Sequence, residues 1–393
     1  MSVPLKPSGP KPGQPFQVGD YRYEVVRPLV DHPDYDPLLL ATREPLQGGP
    51  VKLLVLKPVL MEEHGRPARH RALEEVSLSK FLRHPNIATL YGYVLHDELP
   101  YIVMEHLRGC FLLTLMDAAW LVGRKLSPDF AAYVAAEVAD ALDYAHRCED
   151  DDGNPLKLVH RAVGPMRIRL GDNGRVKLTN FGAAYSELLG RIPTRPGLLR
   201  GDPAYIAPEI LLGFLKPEAR QRDMLTPRKL DGRADLFSLG LVLLEMLLSR
   251  YPLDPPDTLW EDLEQRFPPE VRAERSTLLP LETLADRVLH FGPEEVERAT
   301  GELPAPLRKI VTRALRPHPA ERYPSADDMR YDLRDFLHAR PGRPYGAKEA
   351  EAELSDILKE SSDLRKLAAY PAVEQGVLPV PPDQKSGEPG DIP

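Results

Sequence analysis

The feature that most constrains this chain is the run Leu236 to Leu248, where Glu245 is the only charged residue. At helical spacing, residues 231–249 are apolar on almost every side, and a helix of that kind must be buried on most of its surface. The run is too short to cross a membrane, which takes about 18–20 apolar residues. It therefore belongs at the centre of a large helical core, and other segments must cover it. Suitable partners are present. Ser127-Pro128 is a helix-start signal, with serine at the N-cap and proline in the first turn, and it opens an Ala-rich apolar helix over 129–147. Residues 305–315 and 325–337 read as further amphipathic helices.

The chain before residue 106 has a different pattern. Short apolar runs bounded by turn residues predict strands at 23–29, 38–42, 51–56, 87–95 and 101–105. Residues 69–82 have helical spacing, with Leu73, Val76, Ser79 and Leu82 along one face. His84-Pro85-Asn86 ends that helix, because a residue before proline avoids helical backbone angles. Two short strands at 168–170 and 176–178 interrupt the later helices. The expected fold class is thus α+β, in two lobes: a small β-rich lobe over 19–105 and a large helical lobe over 106–340. Residues 1–18 are rich in Pro, Gly and Lys and are expected to be a disordered arm. Residues 341–370 form a helical extension with a stripe of Leu354, Ile357, Leu358, Leu364 and Leu367, and 371–393 are expected to be a disordered tail.

Composition narrows the function classes. A net charge of −8 argues against general nucleic-acid binding, which needs a basic footprint. Cys110 and Cys148 are too few for a disulfide framework and fit free thiols in a reducing compartment. The N-terminal stretch has no apolar core and does not read as a signal peptide. No membrane span and a cytoplasmic location are the expectations.

Eight motifs in order resemble those of the bacterial Hanks-type serine/threonine protein kinases, over about residues 21–337. Leu54-Val55-Leu56-Lys57 is similar to the strand carrying the phosphate-binding lysine. Glu75 (or Glu74) matches the helix glutamate that pairs with it. Residues 101–106 resemble the hinge, with Met104 at its entrance. His160-Arg161 resembles the start of the catalytic loop, and Phe181-Gly182 the end of the metal-binding motif. Residues 201–209, ending in Ala207-Pro208-Glu209, close an activation segment. Residues 235–240 match the buried helix beneath the catalytic loop, and Arg322 the arginine that pairs with Glu209. The resemblance implies a two-lobed protein-kinase-like fold.

It also implies lost chemistry. Phosphoryl transfer in that family uses a base aspartate and metals held by an asparagine and an aspartate. Those positions read Ala162, Arg167 and Asn180, and the catalytic-loop lysine is Gly164. A methyl group cannot accept a proton, and a guanidinium has no lone pair to give a metal. An amide oxygen is a poor stand-in for the anionic ligand that magnesium prefers. The glycine-rich loop is replaced by residues 29–37, with no glycine, two prolines and the acids Asp31, Asp34 and Asp36, which repel a triphosphate. Val55 replaces the small residue above adenine. Arg169 stands where an apolar floor is expected, and it should seek the loop aspartates.

The expected function is therefore a catalytically inactive pseudokinase, a scaffold or allosteric signalling partner acting on a protein such as an active kinase or a phosphorylated or acidic protein. No metal and no cofactor are expected, with ATP binding without magnesium left open. The rival readings are a divergent kinase with relocated acids, for which Asp172, Asp202 and the loop aspartates are the candidates, and a metal-independent nucleotide sensor using Arg167 and Arg169. Lys57 and Glu75 read as vestigial nucleotide contacts or as a structural ion pair. His160 and Phe181 read as core packing. The basic run Lys157, Arg161, Arg167, Arg169, Arg175 and Lys177, continued by Arg191, Arg195 and Arg200, is either a docking face or a solvated face with internal ion pairs. The C-terminal stripe packs either on the domain or on another protein.

Overall fold

The computed structural model describes residues 10–30, 38–59, 67–188, 199, 201–215, 230–253, 281–339 and 344–367. Two lobes are present. The first holds a six-stranded antiparallel sheet in the order β1-β2-β3-β4-β6-β5. Its strands are β1 Phe16–Val18, β2 Tyr21–Val30, β3 Leu38–Pro45, β4 Lys52–Pro58, β5 Leu90–His96 and β6 Leu99–Glu105, with helix α1 Pro67–Ser79 between β4 and β5. Alternation puts Tyr23, Val25, Leu54, Leu56, Val94, Tyr101 and Val103 in one core, while Tyr91, Tyr93 and Leu95 face out.

Strand β1 lies within the arm expected to be disordered. The reason is Phe16, which is buried and stacks on Tyr23 of β2 at 5.4 Å and on His96 of β5 at 4.3 Å. One aromatic in a proline-rich segment is enough to pin its last turn and bring the two edges of the sheet together. Residues 1–9 of that arm and the expected disordered tail 371–393 lie outside the described residues, as do 368–370 at the end of the expected helical extension.

Helix α1 buries a different face from the expected one. Leu73 is exposed, whereas Glu75 and Leu78 are buried, followed by Leu82 just past the helix end. The inward stripe runs through a glutamate, so an apolar-only reading misplaces it.

The second lobe contains α2 Leu112–Leu121, α3 Pro128–His146, α4 Pro208–Leu215, α5 Arg233–Leu248, α6 Leu281–His290, α7 Pro293–Thr300, α8 Ala305–Ala314, α9 Ala326–His338 and α10 Ala347–Leu367. Helix α5 is buried from Ala234 to Leu247, as its composition demands. Ser127 caps α3, its hydroxyl accepting from Phe130 N at 3.0 Å, and Pro128 follows at the first position. A small sheet, β7 Gly109–Phe111, β8 Ile168–Gly171 and β9 Val176–Leu178, follows the inter-lobe strand. Helix α2 has no N-terminal cap signal, since Phe111 before it makes no side-chain cap, and its only sequence mark is Gly123, at φ +66°, just past its C-terminal end.

Helix α10 packs on the domain itself, against α2 and α3. Ala350, Leu354 and Ile357 are buried, and the Glu353 carboxylate accepts from Ser127 N (2.8 Å), Ser127 Oγ (2.7 Å) and Tyr345 Oη (2.8 Å). The chain crosses the β8–β9 turn so closely that a Cβ on Gly174 would lie 1.8 Å from Ala347 O, and Gly174 also has φ +72°. Only glycine fits there.

Candidate functional site

The cleft between the lobes gathers residues from four segments. Strand β4 brings Val55, which is buried, and Lys57. Helix α1 brings Glu75, which is the buried member of the Glu74-Glu75 pair. Burial raises the Glu75 pKa, and the charges of Lys57 and Arg167 work against that rise. The Glu75 carboxylate reaches the turn after β9: a Cβ on Gly182 would lie 3.0 Å from Glu75 Oε2 and 3.2 Å from Asn180 Oδ1. Asn180 has φ +61°, and its side-chain oxygen accepts from Gly182 N at 3.3 Å. The amide is thus turned onto its own loop, which a short polar side chain permits in the left-handed region.

The stretch His160-Arg161-Ala162 is suspended from α5. The Asp235 carboxylate, fully buried, accepts from His160 N (2.8 Å) and Arg161 N (2.7 Å) and contacts His146 Nε2 at 2.8 Å. These donors hold its pKa low despite burial. The His160 ring sits edge-on to Phe181, with centroids 4.6 Å apart. Its Nδ1 accepts from Ala162 N at 3.2 Å and its Nε2 faces Thr179 O at 3.2 Å, which fits the neutral Nε2–H tautomer. Burial pushes its pKa down to about 4. Arg161, at φ +65°, donates to Ala183 O (2.8 Å) and Ala184 O (3.0 Å). Ala162 is buried and offers a methyl group. A Cβ on Gly164 would meet the Tyr205 ring at 3.1 Å, so Tyr205 crowds the position against larger side chains. Tyr205 is itself fixed by a 2.7 Å bond from its hydroxyl to Glu245 Oε2.

Arg322 Nη1 and Nη2 donate to the two Glu209 oxygens, each at 2.8 Å, and both side chains are buried. This closes the activation segment on the large lobe. The protein kinase domain family matches residues 49–330. The chain belongs to that family. It is 30% identical over 311 residues to a probable serine/threonine-protein kinase of Streptomyces coelicolor, covering 77% of this chain and 38% of the relative. It is 29% identical over 264 residues to the tyrosine-protein kinase MasK of Myxococcus xanthus, covering 67% and 35%. It is 25% identical over 269 residues to the serine/threonine-protein kinase PrkC of Bacillus subtilis, covering 68% and 34%. The chain spans little more than a third of the length of these relatives.

The residues of this kinase domain do not fit a pair of magnesium ions. Arg167 supplies a cation where a ligand is needed, and Asn180, whose oxygen also accepts from Gly182 N, offers a neutral amide in place of a carboxylate. Among the described residues no group of three or more His, Cys, Asp or Glu side chains could hold a metal.

Most cations of the basic run have partners inside the domain, as the alternative of a solvated face with internal ion pairs expects, while Arg175 is exposed. Lys157 pairs with Glu187 at 2.7 Å and Lys177 with Glu105 at 2.9 Å. Arg161 is held by carbonyls, and Arg167 lies in electrostatic range of Glu75 and Asp202. Arg191, Arg195 and Arg200 lie outside the described residues. Arg169 finds acceptors in the hinge. Its Nη2 donates to Leu107 O at 2.6 Å and Gly109 O at 3.2 Å, and the guanidinium lies 4.6 Å from the Phe111 ring centroid. Asp31, Asp34 and Asp36 lie outside the described residues. Of the acids considered for relocated catalysis, Asp172 sits exposed on the β8–β9 turn beside Arg108 at 3.2 Å, away from Ala162. Asp202 is nearer the centre: its Oδ1 accepts from Ala204 N at 3.0 Å, and Arg167 partly offsets the rise in pKa that burial causes. The position of Asp202 just before the turn Pro203–Tyr205, in the stretch 201–209 that resembles the close of an activation segment, is an N-cap. Both cysteines are buried, and burial pushes each thiol up to about 11, so neither is a reactive nucleophile.

Proposed function

We propose that this protein kinase domain acts by binding another protein, as a pseudokinase scaffold or allosteric partner, and does not transfer phosphate. The observation that carries the reading is the joint state of positions 162, 167 and 180: a methyl, a guanidinium and an inward-turned amide. No proton acceptor stands at the first and no metal ligand at the second. The frame around them keeps its hydrogen bonds, so the shape a partner would recognise survives the loss of chemistry. An active kinase or another signalling protein is the partner class that this shape suits. The acidic or phosphorylated partner loses its support from residues 157–177, whose cations are mostly engaged internally.

Purified protein should transfer no γ-phosphate from ATP to itself or to generic serine, threonine and tyrosine substrates. Transfer that persists through stringent purification and disappears in Lys57→Met would overturn the proposal. One observation favours the divergent-kinase reading, the Asp202 carboxylate near Arg167. If that reading holds, the activity disappears in Asp202→Asn as well. Nucleotide binding is read separately. A ligand at ~100 times its dissociation constant stabilises a fold by about 2.7 kcal/mol, which a thermal scan resolves. No magnesium-dependent shift with ATP is expected, and a shift without magnesium would point to the sensor reading.

A further inference from the structure

The small sheet β7-β8-β9 has two faces of opposite character, and its polar face looks at the hinge. In β8 and β9 the side chains of Ile168, Leu170, Val176 and Leu178 are buried in the helical core. Alternation sends Arg169 and Lys177, which pair directly across the two strands, to the other face. On its other side Arg169 pairs with Phe111 of β7. Lys177 shows what that face meets: its Nζ reaches the Glu105 carboxylate at the end of β6, at 2.9 Å. Three successive carbonyls after β6 then accept from the β8–β9 hairpin. Arg108 O takes Asp172 N at 3.0 Å, and the carbonyls on either side, those of Leu107 and Gly109, take Arg169 Nη2 at 2.6 and 3.2 Å. The guanidinium carbon lies 4.6 Å from the Phe111 ring centroid, so the cation covers the face of that ring.

We propose that Arg169 is an internal ligand of the hinge: its planar guanidinium fills the slot that a flat heterocycle with an exocyclic amino group, such as adenine, would enter, and so closes the cleft of this chain to adenine nucleosides and nucleotides. Such a ring needs a carbonyl to accept from its amino group and a flat surface to lie against. Both are already engaged, the carbonyls of Leu107 and Gly109 by Nη2 and the Phe111 ring by the guanidinium plane. Arginine is the one side chain that brings fixed N–H donors and a flat face together. It is also tethered to β8 beside the hinge, so it competes with a free ligand at high effective concentration. An incoming base would strip a half-buried cation of its acceptors, which adds a penalty to its own binding. The inference deepens the binding-protein reading and rests on it, since a cleft filled by its own side chain offers a partner one fixed shape. The two fail on different measurements: this one on binding of a nucleoside that carries no phosphate, that one on transfer of γ-phosphate.

Adenosine without magnesium is the probe, titrated into the full chain by calorimetry. The parent should show no saturation where Arg169→Leu is saturated, a difference of about tenfold or more in dissociation constant. In Arg169→Leu, adenosine should slow amide exchange over residues 107–111 and leave α5 unchanged. Adenosine binding to the parent with similar affinity overturns the proposal. Absence of binding to Arg169→Leu also overturns it, because other groups would then close the cleft. Binding that leaves exchange at residues 107–111 unchanged overturns it too, because the ligand would lie elsewhere. Should Arg169→Leu fail to fold by circular dichroism, Arg169→Ala decides by the same three readings.

Discussion

The cleft between the lobes and the frame beneath it are held in different ways. In the frame each charged group has several short, well-directed partners. Arg322 reaches both Glu209 oxygens and also donates to Arg316 O (2.7 Å), Arg233 O (3.0 Å) and Pro317 O (2.8 Å). Asp235 takes two backbone N–H groups and a histidine. In the cleft the polar side chains turn onto neighbouring backbone: Asn180 onto Gly182 N, Arg161 onto two carbonyls, Arg169 onto the hinge. The frame contacts are thus satisfied by side chains other than those at positions 162, 167 and 180, so the frame does not depend on which residues stand there.

The sharpest way to break that contrast is at Arg322. Its removal leaves the buried Glu209 carboxylate without its bidentate partner, at a cost of roughly 3–5 kcal/mol. Arg322→Ala should lower the melting temperature more than any single change at Ala162, Gly164 or Asn180. A cleft substitution with an equal effect would mean that the two regions are energetically one.

Helix α10 belongs with the frame on this measure. Ile357 is fully buried between α10 and the lobe, and Ile357→Ala should cost about 2–5 kcal/mol in chemical denaturation. A cost below about 1 kcal/mol would show that the helix detaches without consequence and that its surface is available to a partner.

How much of this was readable in the sequence differs between the same two regions. The frame was largely legible, because an all-apolar α5, a Ser-Pro helix start and paired motifs such as Glu209 and Arg322 each carry a local signature. The vacancies at Ala162, Arg167 and Asn180 were legible as residue types. Where the long side chains go was not. Arg169 could reach several acceptors, and only the fold brings the Leu107 and Gly109 carbonyls to it. The strand at Phe16 was hidden because its burial depends on β2 and β5. The docking of α10 was left open because its stripe fits any apolar surface, and the glutamate-bearing face of α1 was missed because apolar periodicity ignores a buried charge.

His160 lies at the join of the two regions and gives a pH signature. Its pKa falls from an unfolded value near 6.5 to about 4 in the fold. Between those values the unfolded chain takes up a proton that the folded chain refuses. This contribution therefore favours unfolding increasingly as pH drops from about 6.5 toward 4, by up to about 1.4 kcal/mol per pH unit. Among the groups facing the ring, Asp235 and the Thr179 carbonyl raise the pKa and temper the effect, while Arg167 and His146 lower it further and strengthen the effect. Stability measured by urea titration should fall over that window, and His160→Asn should flatten the slope. An unchanged slope would assign the acid sensitivity to other groups.

The smallest effect should come from Arg169, and its size decides how the cleft side is built. Its guanidinium bonds two hinge carbonyls and stacks on Phe111, so it is structurally employed although it sits beneath the adenine position. Both carbonyls lie near solvent, since Leu107 is half-buried and Gly109 exposed, so water can replace the lost donors. Arg169→Leu should therefore cost only about 1 kcal/mol, the net worth of a solvent-replaceable hydrogen bond. Amide exchange should quicken over residues 107–111 and stay unchanged in α5. Arg169→Lys should recover little, because an ammonium lacks the planar face that stacks on Phe111. A loss comparable to that of Arg322→Ala would place Arg169 in the frame, and the line between frame and cleft would then have to be redrawn through the hinge.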